Sequence, residues 1–123
     1  MDASKGYNIF KFGSSPKEFK DLSLEIDEGN TKLYSLDKPS IIIEGIDYDF
    51  VRLTFLNNKL ATISLQTKNL SAHKLLQVLK EEYGSPKINP KTKACEWKGN
   101  LVEVIFTSSK NIAVVDFYGK KVK

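Results

Sequence analysis

The chain has 123 residues, 41% of them hydrophobic and 28% charged, and a formal net charge of +4. This length and composition are typical of a single globular domain. No apolar run approaches the roughly 20 residues that a membrane-spanning helix needs. The single cysteine, Cys95, excludes an internal disulfide.

The positive charge is concentrated at the C-terminus. The last four residues include Lys120, Lys121 and Lys123, and without these three charges the net charge falls from +4 to +1. Residues 120–123 are therefore interpreted as a basic tail. Arg52 is the only arginine, and no stripe of basic residues interleaved with aromatic ones occurs, so no nucleic-acid partner is predicted.

The first predicted element is a helix that begins after the sequence FGSS. Ser15 is placed as the N-cap, Pro16 as the first helical residue and Glu18 as the third, which is the pattern of a capping box. A phosphate-binding loop would need further glycines followed by a lysine, and the sequence lacks them at that spacing. The stretch therefore indicates the start of a helix.

A turn and a β-hairpin are predicted next. The acidic residues beside Gly29 and Asn30 indicate a turn with exposed charges. Residues 50–56 and 60–67 both alternate between apolar and polar side chains, and Asn57-Asn58-Lys59 separates them. This pattern is typical of the two strands of a hairpin.

Residues 70–84 carry the clearest helical pattern in the chain. Apolar residues recur there at intervals of three and four, and Ser71 is placed as the N-cap. Leu70 and Leu75 hold the two positions of a hydrophobic staple. Gly84 suits the left-handed residue that ends a helix, and the proline two residues later prevents continuation.

A second hairpin is predicted from residues 101–107 and 112–118. The sequences FLNNK-LATISL and FTSSKNIAVVDF align position by position when the second turn is one residue longer. Strands containing Tyr48 and Trp97 precede the two hairpins. The chain therefore has the pattern of helix, strands and hairpin twice over.

This repeat predicts the fold class. We expect a single α+β domain over residues 1–123, with internal halves at roughly 7–67 and 68–119. The fold would be a twisted antiparallel sheet built from two helix–strand–hairpin repeats, with two helices packed on one face.

Alternation within the hairpins assigns their residues to the two faces of this sheet. The apolar face, predicted to lie under the helices, collects Val51, Leu53, Phe55, Ala61, Ile63, Leu65, Val102, Val104, Phe106, Ala113, Val115 and Phe117. The opposite face is polar in the first hairpin, with Phe50, Arg52, Thr54, Thr62, Ser64 and Gln66. In the second hairpin it includes Asp116 but is more apolar than exposure to solvent alone explains.

We predict that this second part of the face binds a partner, through Leu101, Glu103, Ile105, Ile112, Val114 and Tyr118. Two interpretations stay open. Residues 31–43 cover the face as part of the fold, or a protein partner or a second copy of the chain binds there.

The residue types needed for catalysis are few. His73 is the only histidine and falls on the polar side of its helix, and Cys95 is interpreted as a half-buried strand residue. Asp47 and Asp49 flank Tyr48 as strand-edge or loop residues. We predict no catalytic residue, no metal site and no cofactor, and we do not expect an enzyme.

The order of these motifs resembles two groups of small bacterial domains. The resemblance is carried by FGSSPKEF at residues 12–19 and YGSP at residues 83–86, together with the Trp97 strand and the two hairpins. The pattern resembles the β-lactamase-inhibitor-protein-like domains and the SmpA/OmlA-type envelope domains. The resemblance implies a binding module, often exported, that holds a partner on an exposed sheet face. The inhibitors' disulfides have no counterpart when Cys95 is alone, and no lipobox is present, so β-lactamase inhibition is not carried over.

The predicted function is therefore non-catalytic protein binding through the open sheet face. The alternative is a cytosolic small-ligand or peptide binder with a pocket between the sheet and residues 84–93. The N-terminal sequence MDASKGYNIF lacks the regions of a signal peptide. The expected location is periplasmic or extracellular if a leader was removed, and cytoplasmic otherwise.

Overall fold

A computed structural model describes residues 6–7, 10–19, 22–36, 41–43, 45–68, 71–99 and 102–119. They contain one α-helix, α1 (Ala72–Tyr83), and a three-residue 3₁₀ turn at Pro16–Glu18. The strands are β1 (Gly6–Tyr7), β2 (Phe10–Lys11), β3 (Leu22–Asp27), β4 (Thr31–Leu36), β5 (Ile41–Ile43), β6 (Ile46–Leu56), β7 (Lys59–Lys68), β8 (Lys87–Ile88), β9 (Cys95–Lys98), β10 (Val102–Ser108) and β11 (Ile112–Gly119).

Nine of these strands form one antiparallel sheet. Its order is β3-β4-β6-β7-β11-β10-β9-β8, and β5 pairs with β6. Since β7 occupies one edge of β6, strands β4 and β5 share the other edge. Strands β1 and β2 form a separate two-stranded sheet. The described residues are thus mostly sheet with a single α-helix, and the predicted α+β fold with two helices is wrong.

The first predicted helix is only the 3₁₀ turn. The capping box itself is present, because the Ser15 amide donates to Glu18 Oε2 at 2.6 Å and the Lys17 amide donates to Ser15 Oγ at 3.3 Å. The chain becomes extended again at Phe19. Beyond it, apolar residues recur every second position at Leu22, Leu24 and Ile26, which is the period of a strand and not of a helix. The capping box was therefore predicted correctly, but it starts a single turn that is followed by β3 and not by a helix.

The predicted turn at Gly29 is confirmed, but it joins two strands. The Gly29 amide donates to Asp27 Oδ1 at 3.0 Å, and Gly29 has a φ of +81°, which a glycine adopts without strain. Strand β4 follows directly and pairs with β6. The described parts of residues 31–43 therefore lie within the sheet, and they do not cover its second half.

Helix α1 confirms the second helical prediction. Leu75 and Leu79 are fully buried on its apolar side. Ser71 is the N-cap residue, although its side chain makes no capping hydrogen bond, and Leu70 lies outside the described residues. Gly84 ends the helix with a φ of +88°, and its carbonyl accepts a hydrogen bond from Trp97 Nε1 at 2.8 Å. The indole thereby ties the end of α1 to β9.

The two predicted hairpins, β6–β7 and β10–β11, form the middle of the sheet. Their second strands pair with each other, so the order through the middle is β6-β7-β11-β10. The alignment of the two repeats matches Ser64 with Asp116, and these two residues are also direct partners across β7 and β11. An approximate two-fold axis therefore passes between Ser64 and Asp116 and relates the two hairpins.

All the residues assigned by alternation to the inner, apolar face are buried, so that prediction is confirmed. Residues of neighbouring strands meet there in rows, because directly paired residues point to the same face. One row contains Leu53, Ile63, Phe117, Val104 and Trp97, and the next contains Val51, Leu65, Val115, Phe106 and Cys95.

Helix α1 and residues 12–19 close the inner face. The ring of Tyr83 lies 6.4 Å from the rings of both Trp97 and Phe117, measured between centroids. At the other end of the sheet, the Phe55 ring is contacted by Phe19 at 6.1 Å and by Tyr34 at 5.4 Å. The core thus lies between the sheet and one layer made of helix and turn.

Among the described residues, no helix is long and apolar enough to cross a membrane. The predicted basic tail at residues 120–123 lies outside the described residues.

Candidate open-face binding site

The outer face of the sheet, opposite α1, is the candidate functional site. Of the predicted binding residues, Glu103, Ile105, Ile112 and Val114 are half-buried on this face. Tyr118 is 37% exposed there, and Leu101 lies outside the described residues. The structure therefore brings five of the six predicted residues together on two adjacent strands, β10 and β11.

A hollow of about 380 Å³ lies at the centre of this face. It is lined by two rows of three residues on β6, β7 and β11, and these rows follow from the strand register. The first row is Arg52, Ser64 and Asp116, and the second is Phe50, Gln66 and Val114. The small side chain of Ser64 lies between two larger neighbours, which makes the surface concave where the two-fold axis passes.

Arg52 is held on one side of the hollow by two contacts. Its Nε lies 3.6 Å from Glu25 Oε2 on β3, and its guanidinium carbon lies 4.8 Å from the centroid of the Phe50 ring. The side chains of Arg52 and Glu25 are 49% and 35% exposed, so this ion pair contributes little to stability. Its effect is to orient the guanidinium over the aromatic ring.

Asp116 occupies the opposite side of the hollow. Burial raises the pKa of its carboxyl above the ordinary value, and a hydrogen bond from the Ser64 side chain opposes that rise. Burial also raises the pKa of Tyr118, and the negative charges of Asp116 and Glu103 raise it further. Asp116 and Glu103 thus place two carboxyl groups on this part of the face, and Lys98 of β9 is directly paired with Glu103.

The alternative prediction placed a ligand pocket between the sheet and residues 84–93. In the structure this segment is a strand followed by a turn and is not an open loop. Lys87 and Ile88 form β8, which pairs with β9. The following turn is closed by Asn89, whose Oδ1 accepts from the Lys91 amide at 2.9 Å and the Thr92 amide at 3.2 Å. The segment is thus a tight hairpin with internally satisfied backbone groups.

The residues considered for catalysis lie apart from the hollow. His73 is exposed on α1, and Asp47 and Asp49 are exposed on β6. Cys95 is buried in the inner face, and burial raises the pKa of its thiol while the charge of Lys80 lowers it. No group of three or more His, Cys, Asp or Glu residues suited to a metal occurs among the described residues.

Sequence reasoning placed Phe50, Arg52, Ser64, Gln66 and Asp116 on the outer face but left them out of the predicted site. The sequence pattern did not specify the order of the strands in the sheet, which is needed to group these residues. Alternation shows which face a residue occupies within a hairpin, whereas only the pairing of β7 with β11 brings the first hairpin beside the second. The repeat itself was the available signal, because two similar hairpins in one sheet have to meet through some pair of strands.

No protein-family model, no curated protein and no solved structure matches this chain. The resemblance to β-lactamase-inhibitor-protein-like and SmpA/OmlA-type domains therefore stays a prediction.

Proposed function

We propose that the protein is a non-catalytic binding module that holds a protein partner on the outer face of its sheet. The observation that carries this proposal is the half-buried apolar surface of Ile105, Ile112 and Val114 beside the central hollow. When only one face of an antiparallel sheet is covered, the other face is expected to be polar, as it is in the first hairpin. Apolar side chains that remain on an open face favour contact with another surface.

A protein partner suits this face better than a small molecule. Sites for small ligands bury about 70–90% of the ligand within a cleft or cavity. The hollow has a floor of three strands, so it contacts a ligand mainly from one side. A protein surface can extend over the hollow and over Ile105, Ile112 and Tyr118 together.

Photo-crosslinking tests this proposal. A photoreactive phenylalanine analogue is introduced at Ile105, and at Lys91 in the β8–β9 turn as a matched control on another surface. In cells that produce the protein, we expect a discrete protein adduct from position 105 that is absent from position 91 and is lost in Val114→Lys. An adduct between two copies would identify the partner as a second chain. The proposal fails if position 105 gives no adduct, or the same adducts as position 91.

A further inference from the structure

The two charged groups of the hollow differ in how they are neutralised. Arg52 is paired with Glu25 and lies over the Phe50 ring. Asp116 lies directly opposite Ser64, and no cationic side chain lies within 4.0 Å of its carboxylate among the described residues. Asp116 is therefore the charged group of the hollow that has no ion-pair partner among the described residues, whereas Arg52, although 49% exposed, is already paired with Glu25.

The residues next to Asp116 on β10 and β9 do not balance its charge. Glu103 is directly paired with Tyr118, two residues from Asp116 on the same face, and the amine of Lys98, on the other side of Glu103, lies 3.7 Å from Glu96 Oε1. Ile105, the partner of Asp116 on β10, is apolar. A half-buried carboxylate has lost part of its hydration, and a cation that binds to it replaces what was lost.

The apolar residues of the hollow fit the rest of such a side chain. Val114 and the Phe50 ring lie in the row next to Asp116, on β11 and β6. Lysine and arginine bury an aliphatic stem along apolar surface while their charged end reaches a polar group. At the Asp116 side of the hollow an anionic group would meet a like charge. A cation there lies across Ser64 from Arg52, whose charge is already balanced by Glu25.

We infer that the hollow receives a lysine or arginine side chain of the protein partner, with its charged end at the Asp116 carboxylate and its stem against Val114 and Phe50. This inference rests on the proposed function and specifies the chemistry of the partner. Complementarity of this kind contributes mainly to specificity.

The test uses three capped hexapeptides of alternating valine and threonine that differ at one central position, which is lysine, methionine or glutamate. Methionine has a similar unbranched stem without the charge. Binding to the ¹⁵N-labelled protein is measured by NMR titration. We expect the lysine peptide to bind at least fivefold more tightly than the methionine peptide, with shifts at Ser64 and Asp116. Asp116→Asn should remove this difference, whereas Glu81→Gln, which makes the same charge change on exposed α1, should leave it intact.

The inference is overturned if the lysine preference is missing or survives Asp116→Asn, and also if none of the peptides binds. Three outcomes distinguish failure of this inference from failure of the proposed function. If the three peptides bind the parent protein equally and none of them binds Val114→Lys, the face binds partners without selecting a cation. If no peptide binds but crosslinks still form from position 105, the proposed function stands alone. If crosslinks are absent as well, both fail.

Discussion

The two central hairpins have similar inner faces and different outer faces. On the inner face, Ile63 and Leu65 of β7 correspond to Val115 and Phe117 of β11, and all four are fully buried. On the outer face, the corresponding residues are polar in β7 but mostly apolar or charged in β11: Thr62, Ser64 and Gln66 match Val114, Asp116 and Tyr118. The shared core requires apolar residues from both hairpins, whereas solvent exposure does not require the outer face of β11 to be apolar. The proposed binding function accounts for this difference between the two outer faces.

The largest expected effect breaks the shared core. Phe117→Ala should lower the free energy of unfolding by about 3–5 kcal/mol, and Leu65→Ala, at the matching position, by about 2–5 kcal/mol. Both residues have an exposed fraction of 0%. Urea denaturation followed by circular dichroism measures both values. If one substitution is costly and the other nearly neutral, the hairpins do not contribute equally to one core.

A smaller effect is expected at the link between β9 and the end of α1. Trp97→Phe keeps an aromatic ring in the inner row but removes the hydrogen bond that Trp97 donates to the Gly84 carbonyl. We expect a loss of about 1–3 kcal/mol, because a partly buried carbonyl loses its partner. Hydrogen exchange should show faster opening of the last turn of α1. Unchanged exchange there would contradict the proposed tie.

The two predicted helix starts provide a further comparison. Ser15→Ala should cost about 0.5–2 kcal/mol, because it removes the acceptor of the capping box. Ser71→Ala should cost less than about 0.5 kcal/mol, because the Ser71 side chain makes no capping bond. Thermal or urea denaturation of the two variants measures this difference. Equal losses would show that the capping bonds of Ser15 add no stability beyond that of a serine without them.

Most of the central sheet could be predicted from the sequence. Alternation with a period of two is a direct consequence of strand geometry, so the hairpins and their inner faces were predicted correctly. Helix α1 was predicted from its period and from Gly84. A capping box, by contrast, shows where a helix begins and not how long it continues, so the turn after Ser15 was mistaken for a full helix.

The site was predictable only in part for a related reason. Its residues on β10 and β11 belong to one hairpin, so local alternation groups them. The hollow also requires Phe50, Arg52, Ser64 and Gln66, which lie 48 to 66 residues earlier in the chain than Val114 and Asp116. Their contact depends on the order of the strands, which the local pattern does not specify.

Asp116 gives the smallest expected effect, in the pH dependence of stability. Its pKa in the folded protein lies above the ordinary value of 3.8, so the folded state binds the proton more tightly than the unfolded state does. Its contribution to stability is therefore fully present below pH 3.8 and is lost as the pH rises through the raised folded pKa. On the described strands around it, the charged or titratable groups of this face are Arg52, Tyr118, Glu103, Glu96 and Lys98.

Asp116→Asn should remove this contribution. Unfolding measured between pH 3 and pH 7 should show a flatter profile for the variant, with stability at neutral pH equal to or above that of the parent. A variant that is less stable at neutral pH would show that the ionised carboxylate stabilises the fold, and the assignment of Asp116 to binding would lose support.

The most direct test of the account compares Val114→Lys with Thr62→Lys, since these positions correspond in the two hairpins. Each variant carries the photoreactive group at Ile105, and both urea stability and crosslink yield are measured. We predict that both variants fold with unfolding free energies within about 1 kcal/mol of the parent, and that Val114→Lys alone loses the crosslink. If Val114→Lys unfolds the protein, or both variants lose the crosslink equally, the outer face of β11 is not a distinct binding surface.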